Sequence, residues 1–330
     1  MTKRFQVAGI GNAIVDVIAT VDDHFLDHMG IRKGIMQLVE RERAETLYGA
    51  MTTRQQAAGG SVCNTLAGLG ALGLSTAVVG RVRDDALGRF FAEDTERAGS
   101  AFVNPPVAGA DLPTSRSMIF VTPDGERSMN TYLGISAELG PDDVDPAVMA
   151  DTELLFLEGY LFDKDAGKAA FLKAARACRT AGGRVGIALS DPFCVDRHRA
   201  DFRRLVAEEM DFVIGNQSEW VSLYQANDLT DALDRAARDC QTVVCTRSGD
   251  PVVLIRDGHR VEARVDRTVP VDATGAGDQF AAGFLYGLAT GRSLETAGRM
   301  GCIAAAEVIG HLGARPQAVV GALFRAEGLF

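Results

Sequence analysis

One glycine-containing stretch of the sequence is the most informative about the fold: Val271-Asp272-Ala273-Thr274-Gly275-Ala276-Gly277-Asp278-Gln279-Phe280. Residues 260–271, which lead into it, are rich in valine and are predicted to be extended. After it, Phe280, Phe284 and Leu288 recur at four-residue spacing, which is typical of a tightly packed helix. The Gly-Ala-Gly sequence is therefore predicted to lie where a strand turns into a helix.

Gly275, Gly277 and Asp278 form a candidate site for phosphoryl transfer. Glycine lets the backbone approach a ligand closely, and the N–H groups and dipole of a helix start attract an oxyanion. A carboxylate beside that site is repelled by phosphate, but it can take the proton of a hydroxyl that attacks phosphorus. The alternative is an ordinary glycine turn with Asp278 as a helix cap.

The run from Asp272 to Asp278 resembles, at seven positions, the signature of the ribokinase-like, or PfkB, carbohydrate and nucleoside kinases. The resemblance implies an α/β, ribokinase-like three-layer fold with a mostly parallel sheet flanked by helices. It also implies one kinase domain over residues 1–330, with a small β lid formed by about 16–40 and 113–135 inserted in it.

The composition is that of a soluble globular protein, with 47% hydrophobic and 24% charged residues. A net charge of −10 argues against a nucleic-acid surface, although Mg²⁺ and a local turn can still hold a nucleotide. No run of about 20 apolar residues is present to span a membrane. The six cysteines form no Cys-x-x-Cys pair, which predicts buried free thiols in a reducing compartment. We therefore predict a cytoplasmic protein without nucleic-acid or membrane partners.

Segments outside the turn also favour an α/β fold. Residues 5–21 are apolar and β-branched and predict a first strand, while 115–121 and 127–133 flank a Thr-Pro-Asp-Gly turn typical of a hairpin. From residue 141 onward helical and strand-like stretches alternate, which indicates a parallel sheet with helices on both faces. Residues 68–73 match Gly-x-Gly-x-x-Gly but end a helix and precede a strand, the reverse of a dinucleotide site. Their glycines are predicted to allow close helix packing.

Polar residues near the N-terminus predict a second part of the site. Asn12 and Asp16 are four apart and share a face of an extended chain, although turn-forming residues at a strand end explain them equally well. Residues 59–64, Gly-Gly-Ser-Val-Cys-Asn, place a double glycine before a helix that Ser61 is predicted to cap. In the kinases that this sequence resembles, the glycine pair and the asparagine hold the hydroxyls of the acceptor. That resemblance assigns Gly59, Gly60 and Asn64 to the acceptor.

Three further stretches resemble the nucleotide-binding parts of the same family. Asn216-Gln217-Ser218-Glu219 resembles its Asn-x-x-Glu motif, which arranges Mg²⁺, water and the ATP phosphates; the alternative is a capping box. Thr246-Arg247-Ser248-Gly249 resembles its Thr-x-Gly turn, with the glycine displaced by one position. The resemblance also places Ala304 and Gly313 beside the adenine, and Asp272 and Thr274 where a monovalent cation such as K⁺ can bind.

Within the family, the sequence looks most like the adenosine kinase branch. The matching motifs are residues 11–16, 25–27, 59–64, 127–129 and 189–193, together with the glycine turn. This resemblance implies that Asp16 binds the ribose 2′ and 3′ hydroxyls beside Asn12, and that Arg127 steadies the transferring phosphoryl group. The residues that would enclose the purine are Leu38, Met129, Leu133 and Phe193, with one of Tyr160, Leu161 and Phe162 facing the base.

The sequence therefore predicts a kinase that transfers the γ-phosphoryl of ATP to the 5′ hydroxyl of adenosine with Mg²⁺. Asp278 is the predicted base, and the N–H groups of Gly275, Ala276 and Gly277 are predicted to hold the developing charge. A ribose-like or fructose-like sugar, inosine or guanosine remains open as acceptor, as does a non-catalytic nucleoside sensor. Both a monomer and a homodimer are compatible with the lid edge.

Overall fold

The computed structural model describes residues 3–330, so the first two residues of the predicted domain lie outside it. The strands, in chain order, are β1 (Phe5–Ile10), β2 (Ile14–Thr20), β3 (Met36–Leu38), β4 (Gln55–Gly59), β5 (Thr76–Val79), β6 (Ser100–Phe102), β7 (Ser115–Val121), β8 (Arg127–Tyr132), β9 (Thr152–Glu158), β10 (Arg184–Ala188), β11 (Phe212–Asn216), β12 (Thr242–Arg247), β13 (Asp250–Arg256) and β14 (His259–Ala263).

The helices are α1 (Asp23–His28), α2 (Arg41–Ala50), α3 (Ser61–Ala71), α4 (Ala86–Arg97), α5 (Pro146–Ala150), α6 (Asp165–Thr180), α7 (Pro192–Arg197), α8 (Arg199–Glu209), α9 (Gln217–Tyr224), α10 (Leu229–Asp239), α11 (Ala276–Ala289), α12 (Leu294–Val308) and α13 (Val320–Ala326). Short 3₁₀ helices lie at Gly134–Glu138, Pro141–Asp143 and Gly159–Asp163.

The larger sheet has nine strands in the order β14-β13-β12-β11-β10-β9-β1-β5-β6. Strands from β12 to β6 are parallel, and β13 and β14 are added antiparallel at one edge. Separate hydrophobic cores lie on its two faces: one contains Phe171, Phe202 and Trp220, and the other contains Leu66 and Phe284. This confirms the predicted three-layer α/β fold, because a parallel sheet is stable only when both of its faces are covered.

The smaller sheet has five strands in the order β3-β8-β7-β2-β4. Its β7 and β8 form the predicted hairpin, with Val121 paired to Arg127 beside the turn. Strand β4 also belongs to this sheet, although the predicted lid did not include it.

Two strand predictions were wrong in their extent. Residues 5–21 form β1 and β2 in different sheets, because the chain leaves the larger sheet at Gly11. A Cβ atom at Gly11 would lie 2.6 Å from Glu158 Oε2, so this crossing point has no room for a side chain. Near the glycine turn, β14 ends at Ala263 and residues 264–275 are irregular. Val269 and Val271 in this segment are 87% and 57% exposed, so these valines do not pack within a sheet.

Two other predictions are confirmed. A Cβ atom at Gly68 would lie 3.0 Å from the Cβ of Ala282, and one at Gly70 would lie 2.8 Å from Ala98 O, so Gly68 allows close packing of α3 against α11 and Gly70 allows it against residues 98–99. All six cysteines are free and buried. Burial raises the pKa of Cys178 and Cys240 to about 11 and that of Cys194, Cys245 and Cys302 to about 12, and it raises the pKa of Cys63 further.

Candidate active site

A cavity of about 630 Å³ opens between the two sheets at the carboxyl ends of the parallel strands. Ligands of open α/β sheets commonly bind at this edge. The smaller sheet contributes Asp16 and Met129 to the cavity wall, and the larger sheet contributes Glu158 and Asn216. Thr274, Gly275, Gly277 and Asp278 complete the wall from the glycine turn.

The glycine turn depends on Gly275. Its φ angle is +80°, and a Cβ atom there would lie 2.6 Å from the Cα of Ala314, so both conformation and space require glycine. Helix α11 begins at the next residue, which places Asp278 in the first helical turn. The N–H group of Ala276 donates to Ala273 O at 3.3 Å, a bond that it must release before it can bind an anion.

Asp278 is held by the first turn of α3. Its Oδ1 accepts a hydrogen bond of 2.6 Å from Ser61 Oγ, and its Oδ2 accepts one of 3.0 Å from Asn64 Nδ2. Burial raises the pKa of Asp278, and these two hydrogen bonds oppose the rise. The carboxylate is thus oriented towards the cavity with an increased affinity for a proton, which is what a general base needs.

The prediction that Ser61 caps α3 was wrong. Gly60 occupies the cap position with a φ angle of +95°, and Ser61 is the first helical residue. A Cβ atom at Gly60 would lie 2.1 Å from Asn12 O, so the double glycine brings the start of α3 against the crossing segment. The Ser61 hydroxyl is therefore available to Asp278.

Asp16 on β2 is buried beside Gly59. A Cβ atom at Gly59 would lie 2.6 Å from the Asp16 carboxylate, so Gly59 supports Asp16 and does not itself line the cavity. Burial raises the pKa of Asp16 to about 6, while the positive charges of Arg127 and Arg315 oppose the rise.

Glu158 is a buried carboxyl group that sequence reasoning did not identify. It is 1% exposed at the end of β9, and it accepts hydrogen bonds from Asn12 Nδ2 at 2.7 Å and Val62 N at 3.2 Å. Burial raises the pKa of Glu158 to about 7. Asn12 also accepts from Ser136 Oγ at 2.9 Å. The only local signal was a glutamate that ends an apolar strand.

Arg127 lies at the glycine turn, where it forms an ion pair of 2.6 Å with Asp272. Both side chains are less than 10% exposed, at 8% and 6%. Asp272 also accepts from Gly313 N at 3.0 Å and from Thr274 N at 2.9 Å. Burial alone would raise the pKa of Asp272, but these hydrogen bonds and Arg127 hold it below its ordinary value.

Asn216 and Glu219 line the cavity and also form a reciprocal capping box. Asn216 Oδ1 accepts from Glu219 N at 3.0 Å, and Glu219 Oε2 accepts from Asn216 N at 2.7 Å. Burial raises the pKa of Glu219 to about 7. The capping box is therefore present, and it places both side chains at the cavity wall, while their role toward Mg²⁺ and the ATP phosphates stays a prediction.

Several predicted ligand-binding residues do not line the cavity. Gly249 is exposed in the turn between β12 and β13, and Ala304 is 1% exposed on the buried face of α12. Gly313 lies behind the turn, against Asp272. Thr246 does line the cavity.

Phe193, which was predicted to enclose a purine, does not line the cavity, and its side chain is 73% exposed. Asp191 caps α7 and accepts from the N–H groups of Phe193 and Cys194, and this start turns Cys194 inward and Phe193 outward. Leu38, Met129 and Leu133 do line the cavity, together with Met36. Of the three residues from 160 to 162, Tyr160 and Leu161 line it, whereas Phe162 packs against Phe202.

Comparison with known proteins decides the family. The family model described as pfkB family carbohydrate kinase matches residues 6–319. This chain belongs to the pfkB family. As a pfkB kinase it is a phosphotransferase that acts on an alcohol group, and its fold is ribokinase-like.

Its relatives include both sugar and nucleoside kinases. A probable sugar kinase from Rhizobium etli is 44% identical, with a TM-score of 0.90 over 99% of this chain and 100% of that one. An adenosine kinase from Sinorhizobium meliloti is also 44% identical, with a TM-score of 0.88 over 98% of this chain and 99% of that one. A 5-dehydro-2-deoxygluconokinase from Bacillus velezensis is 26% identical over 93% of this chain and 89% of its own.

Membership of the pfkB family implies ATP use, typically with Mg²⁺. The oxygen donors of Asn216, Glu219 and Asp278 at the cavity fit Mg²⁺, which prefers oxygen ligands. Within residues 3–330, no group of three acidic, histidine or cysteine side chains forms a metal cage. The Asp272 carboxylate is engaged by Arg127 and by the N–H groups of Thr274 and Gly313. The K⁺ site at Asp272 and Thr274 stays a prediction.

None of the helices in the described part of the chain is long and apolar enough to cross a membrane.

Proposed function

We propose that this pfkB kinase transfers the γ-phosphoryl of ATP to the 5′ hydroxyl of adenosine. One observation carries the proposal: the acceptor side of the cavity combines the carboxylate of Asp16 with an apolar wall. Met36 and Leu38 in that wall are 53% and 60% exposed. A nucleoside matches both features, since its ribose diol donates to a carboxylate and its flat base covers apolar side chains. A free sugar would leave the apolar wall unused.

The proposed chemistry uses the residues that surround Asp278. Asp278 takes the proton of the 5′ hydroxyl as its oxygen attacks the γ-phosphorus, and the bond to the leaving ADP oxygen breaks with its electron pair. Ser61 and Asn64 orient the base, and the N–H groups of the glycine turn hold the developing charge. Mg²⁺, when bound near Asn216 and Glu219, neutralises phosphate charge. We further propose that the five-stranded sheet closes as a lid that excludes water.

A substrate panel tests the acceptor. We expect turnover with adenosine at micromolar concentration, an ordinary range for KM, and little turnover with ribose or fructose at the same concentration. ADP release measured with Mg²⁺ present, together with identification of AMP as product, checks this. If turnover occurs only with a free sugar, the proposed base Asp278 still stands, but the proposed acceptor is a sugar and not a nucleoside. The relatives named as sugar kinases make that the second candidate. Turnover with inosine or guanosine instead of adenosine would retain the nucleoside but change the base.

The ionisation of Asp16 predicts a pH dependence of acceptor binding. Its pKa is raised to about 6, so the carboxylate is charged above that pH and becomes protonated below it. Because diol hydroxyls donate to the charged form, we expect KM for adenosine to rise as pH falls below 6. Asp16→Asn should raise KM above pH 6 and remove the dependence of KM on pH near 6, whereas the ionisation of Asp278 should remain in the pH profile of kcat. A wild-type KM that is unchanged between pH 7.5 and 5 would contradict the role of Asp16.

A further inference from the structure

A short segment after α12 connects the glycine turn to the acceptor side of the cavity. Gly313 donates its N–H to Asp272 at 3.0 Å, and Ala314 O accepts from Gln279 Nε2 of α11 at 3.1 Å. The next residue, Arg315, reaches in the other direction and donates through Nη2 to Ala58 O on β4. One stretch of three residues thus contacts both halves of the site.

Arg315 and Asp94 together hold the end of β4. Arg315 Nη1 donates to Asp94 Oδ2 at 3.2 Å, and the same Asp94 oxygen accepts from Ala58 N at 2.9 Å. The carbonyl and the N–H of Ala58 are therefore both fixed by this ion pair. The Arg315 and Asp94 side chains are 25% and 17% exposed, so the pair is largely sheltered from solvent.

Asp16 packs against the end of β4. Gly59, the residue after Ala58, lies against the Asp16 carboxylate, and Gly60 follows with its φ angle of +95°. Three charged groups act on Asp16: Arg127 on β8, Asp278 on α11, and Arg315 in the segment after α12. Of these, Arg315 is the positive charge that is attached to β4. Its Nε is also buried without a hydrogen-bond partner among residues 3–330.

We infer that Arg315 is a positioning residue for the acceptor. Arg315 holds residues 58–60 in place and favours the charged form of the Asp16 carboxylate. The inference rests on the proposed role of Asp16 in binding the diol. Arg315 need not touch the acceptor. Its charge acts through Asp16, and its hydrogen bonds act through the backbone of Ala58.

Arg315→Gln tests this by the pH dependence of KM. Loss of the positive charge makes Asp16 easier to protonate, so the pH below which KM for adenosine rises should move upward by about half a unit to one unit. At pH 6.5, KM should therefore rise by about 1.5- to 3-fold relative to wild type, whereas kcat at pH 8 should change much less. A merely structural role would raise KM equally at all pH values and leave the midpoint unmoved.

Two variants keep the test interpretable. Arg315→Lys retains the charge without the forked contact, so its midpoint should remain near that of wild type. Arg97→Gln is the matched control, because Arg97 binds the other oxygen of Asp94 at 2.7 Å but is 64% exposed. It should leave KM and its pH profile unchanged.

A midpoint that is the same in Arg315→Gln and wild type overturns the inference, as does the same shift in Arg97→Gln. Thermal unfolding of each variant identifies any loss of folded protein before the kinetics are compared. If Asp16→Asn itself leaves KM unchanged, the proposed diol contact fails, and the inference about Arg315 fails with it. That outcome differs from one in which Asp16→Asn raises KM and Arg315→Gln has no effect.

Discussion

Asp278→Asn should lower kcat by about 10³-fold while the protein still binds its acceptor. Asparagine has nearly the same shape and can still bind Ser61 and Asn64, but it cannot accept the proton of the attacking hydroxyl. Single-turnover kinetics with saturating ATP measure the loss, and calorimetric titration with adenosine measures binding. Because only the transition state needs the base, Kd should change by much less than kcat.

Ser61→Ala is the matched control for Asp278→Asn. It removes one hydrogen bond of 2.6 Å from the carboxylate but leaves the base in place. We expect a smaller loss of kcat, about 10-fold or less, together with a higher pKa of Asp278, because that hydrogen bond favours the charged carboxylate. Near-normal turnover by Asp278→Asn would show that another group takes the proton.

Gly275→Ala should destabilise the protein by about 2–4 kcal/mol and abolish most of its activity. An alanine would have to adopt a φ angle of +80°, and its Cβ atom would lie 2.6 Å from the Cα of Ala314. The neighbouring atoms are the Cα, Cβ and carbonyl oxygen of Ala314, so they cannot move aside as the end of a flexible side chain could. Relief of the clash would displace residues 313–315, which include Arg315 and donate a hydrogen bond to Asp272. Urea unfolding and the kcat/KM for adenosine measure the two effects.

Gly277→Ala provides the comparison within the same turn. No atom lies within 4 Å of a Cβ atom built at Gly277, and the residue lies in the first turn of α11. Alanine favours a helix over glycine by up to about 1 kcal/mol, so folding stability should be unchanged or increased. Any loss of activity then reports close approach of a phosphate to the backbone. Equal destabilisation by the two substitutions would contradict the argument from Gly275.

The features that were predictable from the sequence are those encoded in adjacent residues. The glycine turn, the β7–β8 hairpin and the alternation of strands and helices depend on local turn chemistry and periodicity, and each is present. The motifs that contain Asp278 and Asn64 were both predicted to belong to one site, and the two side chains are hydrogen-bonded.

The features that were missed depend on contacts between distant parts of the chain. Glu158 binds Asn12 and Val62, and Arg315 binds Ala58, but no motif surrounds either residue. Phe193 was assigned from a local match, although the cap that Asp191 provides directs it outward. The valines of residues 260–271 predicted an extended segment, but β14 ends at Ala263 and residues 264–275 are irregular. Long-range packing decided each of these cases.

The burial of all six cysteines makes the protein suited to site-specific labelling. Thiolate is the reactive form, and pKa values of about 11 or more leave very little of it near neutral pH. The native thiols should therefore react slowly with maleimides while the protein is folded. If the exposed Pro123 at the tip of the β7–β8 hairpin is replaced by cysteine, that residue should be the main site of labelling by a maleimide fluorophore. Its emission, followed while nucleotide and acceptor are mixed, would test the proposed closure of the five-stranded sheet.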